Sequence, residues 1–262
     1  MKLSLNTATV RKQWTLAQII DGCARHGIEG ISPWRDQVAQ MGLSEASKAI
    51  RASGLTVTGL CRGGFFTAKN WRDDNMRAIE EAQTLGAQCL VLVVGGLAPQ
   101  SKDLAGARER VRDGIAVILP EARKAGVPLA IEPLHPMQAA ERACINTLEQ
   151  ALDLCDELGD GLGVAVDVYH VWWDPKLRDQ IRRAGKRVFA YHICDWLVPT
   201  RDLLNDRGMM GDGVIDLPLI RSWVEATGYS GFQEVEIFSE LDWWKRDPDE
   251  VLRTCVERAK HC

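Results

Sequence analysis

The feature that most constrains this chain is a phrase repeated seven times: a polar or basic helix tail, a glycine, then a short apolar run. It occurs at Ala24-Arg25-His26-Gly27 before Ile28-Glu29-Gly30-Ile31, and at Ala52-Ser53-Gly54 before Leu55-Thr56-Val57. Leu85-Gly86 leads to Cys89-Leu90-Val91-Leu92-Val93 in the same way. Ala125-Gly126, Leu158-Gly159, Ala184-Gly185 and Thr227-Gly228 introduce the remaining runs, near Val127, Leu162, Val188 and Phe232. A glycine just past a helix takes the left-handed cap conformation that other residues resist. Each phrase therefore marks a helix ending and a strand beginning, and Leu3 to Asn6 adds an eighth strand ahead of them.

The intervening segments carry helical spacing. Leu16, Ile19, Ile20 and Cys23 share one face, as do Val111, Ile115, Ile118 and Leu119, and then Leu148, Ala151, Leu152 and Cys155. The strands are too continuously apolar for a sheet with one wet face, so they predict a parallel sheet covered by helices. Eight units in 262 residues average about 33 each, the size of a minimal strand-helix repeat. The expected fold is α/β, a (β/α)8 TIM barrel forming one domain over residues 1–262. A doubly wound open sheet is the alternative. It usually has a glycine-rich turn after its first strand, and Asn6-Thr7-Ala8-Thr9 offers none.

A formal charge of −4 leaves no basic surplus for a phosphate backbone, so nucleic acid is not an expected partner. No apolar run approaches the ~20 residues of a membrane helix, so no membrane partner is expected either. Met1-Lys2-Leu3-Ser4-Leu5-Asn6 turns polar too early for a signal peptide. Eight scattered cysteines with no Cys-x-x-Cys pair behave as small hydrophobes, and free thiols in a chain of this size point to the cytoplasm.

A parallel barrel opens all its strand C-termini on one face, where catalytic residues gather. The fifth strand, Pro128-Leu129-Ala130-Ile131, runs straight into Glu132-Pro133-Leu134-His135. The sixth ends Val166-Asp167-Val168-Tyr169-His170, the seventh Tyr191-His192-Ile193-Cys194-Asp195, and the eighth Glu234-Val235-Glu236. A single acid at a strand tip is ordinarily a loop residue or a helix cap. Three carboxylates at one barrel mouth repel one another unless protonated or metallated. Glu132, Asp167, His192 and Glu236 are thus a ligand set for a divalent ion such as Mn²⁺, Co²⁺, Mg²⁺ or Zn²⁺. The long irregular stretch from Trp196 to Asp216 is expected to be functional.

These motifs, with Gly211-Asp212-Gly213-Val214-Ile215-Asp216, resemble the xylose isomerase-like TIM barrels, the sugar phosphate isomerase/epimerase superfamily, over essentially the whole chain. The resemblance implies one Mn²⁺-like ion on Glu132, Asp167, His192 and Glu236, with His170 touching substrate and Asp195 supporting the site. It implies a sugar isomerase or epimerase in which Glu132 and Glu236 move a proton next to a carbonyl through an enediolate. Two positions differ from the ketose 3-epimerases. Gln138 stands where those enzymes carry a glutamate, and Val198 stands where they carry an arginine, with Arg201 three residues later. Glu132-Pro133-Leu134-His135-Pro136 also resembles the catalytic subunit of C-glycoside deglycosidases, which makes His135 a candidate base on a 3-keto-sugar.

Arg62, at the end of the third strand, is a candidate clamp for a carboxylate, phosphate or hydroxyl. Asn6 and Trp173 complete the expected substrate-binding set, with other tryptophans of the nine left to packing or a homo-oligomer interface. The expected partner is a small sugar or sugar acid. A lyase, dehydratase or decarboxylase on a keto-sugar, and a non-catalytic sugar-binding subunit, remain open at this point.

Overall fold

The computed structural model describes residues 1–262. Its barrel strands are β1 (Lys2–Asn6), β2 (Gly30–Ser32), β3 (Thr56–Val57), β4 (Leu60–Gly64), β5 (Leu90–Val93), β6 (Leu129–Ile131), β7 (Leu162–Asp167) and β8 (Val188–Ile193). After β8 come β9 (Asp195–Trp196), β10 (Arg207–Gly208) and finally β11 (Phe232–Val235), which returns to the barrel. The spatial order is β3-β2-β1-β11-β8-β7-β6-β5-β4, with every pairing parallel.

The two ends of that order, β3 and β4, are one rung interrupted at Thr58-Gly59. β3 bonds to β2 and β4 bonds to β5, so the sheet closes on itself with eight rungs, as the repeated phrase predicts. Gly86 and Gly126 take the left-handed conformation at helix ends, with φ of 70° and 68°. Helix starts are fixed chemically too. Thr15 and Gln18 form a reciprocal capping box ahead of Leu16–Arg25, and Thr147 accepts from Gln150 N–H ahead of Leu148–Leu158.

Strand side chains alternate between two separate apolar regions. Leu129, Ile131, Val164, Val166, Tyr191 and Ile193 join the large layer between sheet and helices. Ala130, Ala165 and Ala190, with Cys61, Cys89 and Val91, form a small cluster inside the barrel. The inward residues are small, which leaves room on the axis for polar side chains. Two positions beyond Ala130, Ala165 and Ala190 stand Glu132, Asp167 and His192, and two beyond Glu234 stands Glu236. The two-residue period thus aims all four inward at the C-terminal mouth.

No helix is long and apolar enough to cross a membrane. All eight cysteines are buried and unpaired.

Candidate metal centre and substrate basin

Glu132, Asp167, His192 and Glu236 each offer a ligand atom, and these atoms lie within 4.8 Å of one another. All four residues are buried. Burial pushes the Glu132 carboxyl up. It pushes Glu236 the same way, but the charges of Arg207 and His192 outweigh it and hold that carboxyl below the usual range. Burial likewise disfavours the charged His192 ring, yet the surrounding carboxylates lift it well above its ordinary value. Coulomb repulsion among three buried acids is therefore only partly relieved by the protein itself.

The structure also orients the imidazole. Glu234, one turn of the pleat below Glu236, accepts from Asn6 Nδ2 at 2.8 Å and from Thr58 Oγ1 at 2.8 Å. Its Oε1 lies 3.4 Å from His192 Nε2. A carboxylate on that side favours the hydrogen on Nε2, which makes no aligned hydrogen bond of its own, so that a bound cation would take the Nδ1 lone pair. His192 Nδ1 lies 3.1 Å from Glu132 Oε1, and neither atom has an aligned hydrogen-bond partner. Orphaned buried donor and acceptor atoms, three carboxylates and one imidazole with no thiolate are the chemistry of a divalent-cation site, and these residues fit it.

Arg207 is the functional residue that sequence reasoning missed. It is buried, with Nη1 2.8 Å from Asp167 Oδ2 and 3.2 Å from Glu236 Oε2. Its guanidinium stacks over Tyr169 and Phe238, at 4.5 and 5.1 Å from the ring centroids. The irregular stretch after β8 delivers it. β9 and β10 pair antiparallel, with Arg207 opposite Trp196, which folds the loop back over the mouth. Arg201 lines the outer basin and does not reach the cluster. It pairs with Asp206 and Asp242 at the loop's outer edge.

His170 sits on the short helix Val168–Val171, whose first turn Asp167 caps by accepting from Tyr169 N–H. Burial above all holds its imidazole down at about 3, so the ring is neutral. The backbone N–H of His135 points at Nδ1, 3.2 Å away, and the Arg207 Nη2–H points at Nε2, 3.1 Å away. A neutral ring accepts only one of these two hydrogens, so its tautomer decides whether His170 holds Arg207 or the His135 backbone.

Other expected residues fall elsewhere. Asp195 does not face a ligand: it accepts from the backbone N–H groups of Gly211, Gly213 and Ile215 and so pins the turn beyond Arg207. Asn6 is fully committed below the site, between Glu234, Trp34 Nε1 and Ala8 N–H. Trp173 donates to the His170 carbonyl at 2.8 Å and packs edge-on against His135, as a backing residue.

His135 is not brought to the cluster. Its ring stacks on Trp196 at 4.9 Å, its Nδ1 accepts from Met137 N–H, and it is absent from the cavity wall. Its ring stands between Trp196 and Trp173.

Above the cluster lies an inner cavity of about 20 Å³, walled by Glu132, Glu236, His170 and Arg207 among others. That volume suits an ion or a water. It opens through Arg62, Gln138, Arg142 and Leu204 into a basin of about 730 Å³, which is sugar-sized. Asp167 and His192 lie outside this wall, so Glu132 and Glu236 are the two cluster acids with an open side.

Comparison with known proteins agrees with this layout. An inosose isomerase from Bacillus velezensis is 27% identical over 99% of this chain and 96% of its own. The crystal structure of protein SMc04130 from Sinorhizobium meliloti 1021 is 62% identical, with a TM-score of 0.98 over 99% of this chain and 98% of that one. A crystal structure of the IOLI protein with a binding zinc atom shares the fold at 23% identity, with a TM-score of 0.84 over 100% of this chain and 97% of that one. The family model described as xylose isomerase-like TIM barrel matches residues 20–255, and the chain belongs to that family.

Proposed function

We propose that this protein is a divalent-metal-dependent isomerase or epimerase that moves a proton next to the carbonyl of a keto-sugar or related polyol ketone. The observation carrying the proposal is the convergence of Glu132, Asp167, His192 and Glu236 beneath a sugar-sized basin. The name of the Bacillus velezensis relative, inosose isomerase, supports the reaction class. Glu132, Asp167, His192 and Glu236 would hold the cation, and three oxygen donors with one nitrogen favour Mn²⁺ over thiolate-seeking ions. When bound, the cation supplies Lewis acidity next to the reacting carbonyl.

The chain's own groups do the rest. Glu132 and Glu236 come from different sides of the cavity wall and are suited to remove and return the proton. The Arg207 guanidinium, held beside His170 on the cavity wall, would donate toward a substrate oxygen and stabilise negative charge as the enediolate forms. Tyr169 and Phe238, against the Arg207 guanidinium, keep that donor dry and fixed.

The test is solvent deuterium uptake into a panel of keto-sugars and inososes by the Mn²⁺-loaded protein. Uptake should disappear in Glu132→Gln and Glu236→Gln and persist in His135→Gln. Failure of every keto compound to exchange with the metal in place would overturn the proposal.

A further inference from the structure

Arg62 and Arg142 are two half-buried cations with no ion-pair partner. Both line the inner cavity and the basin, so they stand at the passage between the two. Arg62 packs its guanidinium 3.9 Å over the Phe65 ring, and its Nε is buried without a partner. Burial, and after it the charge of Arg142, pushes Arg62 down to about 10. The Arg142 backbone is tied on both sides, its N–H donating to Gln138 and its carbonyl accepting from Gly95. Burial first, and then the charge of Arg207, lowers Arg142 as well.

Most other buried or half-buried arginines of this chain are paired with carboxylates, and Arg108 donates to the Cys144 carbonyl. Arg35 holds Asp74 and Glu81, and Arg207 holds Asp167 and Glu236. Arg62 and Arg142 form no ion pair with the cluster acids beneath them or with Glu141 and Asp202, which also line the basin. Placing two like charges in a half-desolvated passage is unfavourable unless something anionic arrives there.

Resting on the function proposed above, we infer that the substrate is an anion: a keto-sugar acid or cyclic keto acid whose carboxylate is received by Arg62 and Arg142 while its carbonyl reaches the cluster. A planar carboxylate matches the fork of a guanidinium, and two such forks can share its two oxygens. Gln138, on the same wall, adds an amide for the neighbouring hydroxyl. The Phe65 ring beneath Arg62 fixes that side chain and lowers the entropy lost when it is used. The arrangement distinguishes this chain's basin from one built for a neutral polyol, where uncompensated arginines would only cost stability.

The experiment compares binding of non-reacting probes to the Mn²⁺-loaded full chain by calorimetry. D-gluconate and D-glucitol differ in a carboxylate against a hydroxyl, and inorganic phosphate serves as a third arm. Gluconate should bind about ten- to a hundredfold more tightly than glucitol, the range expected of charge-assisted hydrogen bonds. That ratio should collapse in Arg62→Gln and, separately, in Arg142→Gln, each checked for its melting temperature. Arg112→Gln, which removes the same charge from an outer helix, should leave the ratio unchanged.

Equal binding of gluconate and glucitol, no binding of either, or a ratio indifferent to both substitutions overturns the inference. Tighter binding of phosphate than gluconate, lost in the same variants, overturns the carboxylate assignment in favour of a phosphorylated substrate. The two readings fail separately. Deuterium uptake by neutral keto-sugars with no preference for charge leaves the proposed reaction standing and removes the anion. Arginine-dependent gluconate binding without uptake into any keto compound does the reverse.

Discussion

Glu234 touches neither the basin nor the cluster's open side, yet replacing it with glutamine should weaken the metal site. In the folded protein its two oxygens receive Asn6 Nδ2 and Thr58 Oγ1, and Oε1 also faces His192 Nε2. Glutamine preserves the shape but turns one oxygen into a donor. The least costly orientation keeps the amide oxygen on Asn6 and presents NH₂ to Thr58, whose hydroxyl can rotate to accept it. Folding then loses about 1–3 kcal/mol for a compromised buried hydrogen bond.

The effect on the cation is larger in proportion. The amide oxygen still faces Nε2, so the ring keeps its orientation, but without the carboxylate's charge behind it the Nδ1 lone pair is a weaker donor to the ion. Loss of such an outer partner typically lowers metal affinity about 10- to 100-fold, or about 1.4–2.8 kcal/mol. The assay is calorimetric titration of metal-free protein with Mn²⁺, beside denaturant unfolding of the same preparation. An E234Q variant that folds and binds Mn²⁺ as tightly as the parent would refute the support assigned to the Glu234 charge.

Three further outcomes are expected. Saturating Mn²⁺ at a hundredfold above its dissociation constant should contribute about 2.7 kcal/mol and raise the melting temperature by about 5 °C, reversed by chelator and absent in Asp167→Asn. Arg207→Met should destabilise the metal-free protein by about 3–5 kcal/mol, because Asp167 and Glu236 lose their buried cation; chemical denaturation with and without Mn²⁺ should show the deficit narrowing when the ion is bound. Asp195→Asn should cost about 1–3 kcal/mol by denaturation, since an amide presents a donor to the converging N–H groups of Gly211, Gly213 and Ile215. It should also slow turnover more than it alters Mn²⁺ affinity, because the disturbed turn carries Arg207.

The rungs of the barrel were legible because each is announced by local chemistry, a helix cap glycine followed by an apolar run. The four cluster residues were legible for a related reason, since a strand's two-residue alternation carries its inward side past the last hydrogen bond. Glu234 was available from the same rule, being two positions before Glu236 on the same side of β11. Read as part of a strand, it received no role. Arg207 could not be found this way. It lies 15 positions beyond His192, in a loop whose path depends on the β9–β10 pairing and on Asp195 gathering backbone donors from the turn beyond. Composition gives such an arginine no mark among the 32 basic residues of the chain. The placing of His135 was hidden for a similar reason, since its ring stacks on Trp196, 61 positions later.

The closed barrel divides labour between its two halves. Acids and imidazole all come from the rungs after residue 128, whereas Arg62 and its supporting Phe65 belong to the split rung β3–β4 on the earlier side. Of the groups proposed for recognition, Arg62 thus lies on a separate stretch of chain from the acids, while Gln138 and Arg142 stand between them. A redesign that grafts a different tip onto that split rung could redirect which molecule is accepted while leaving the ion's surroundings intact.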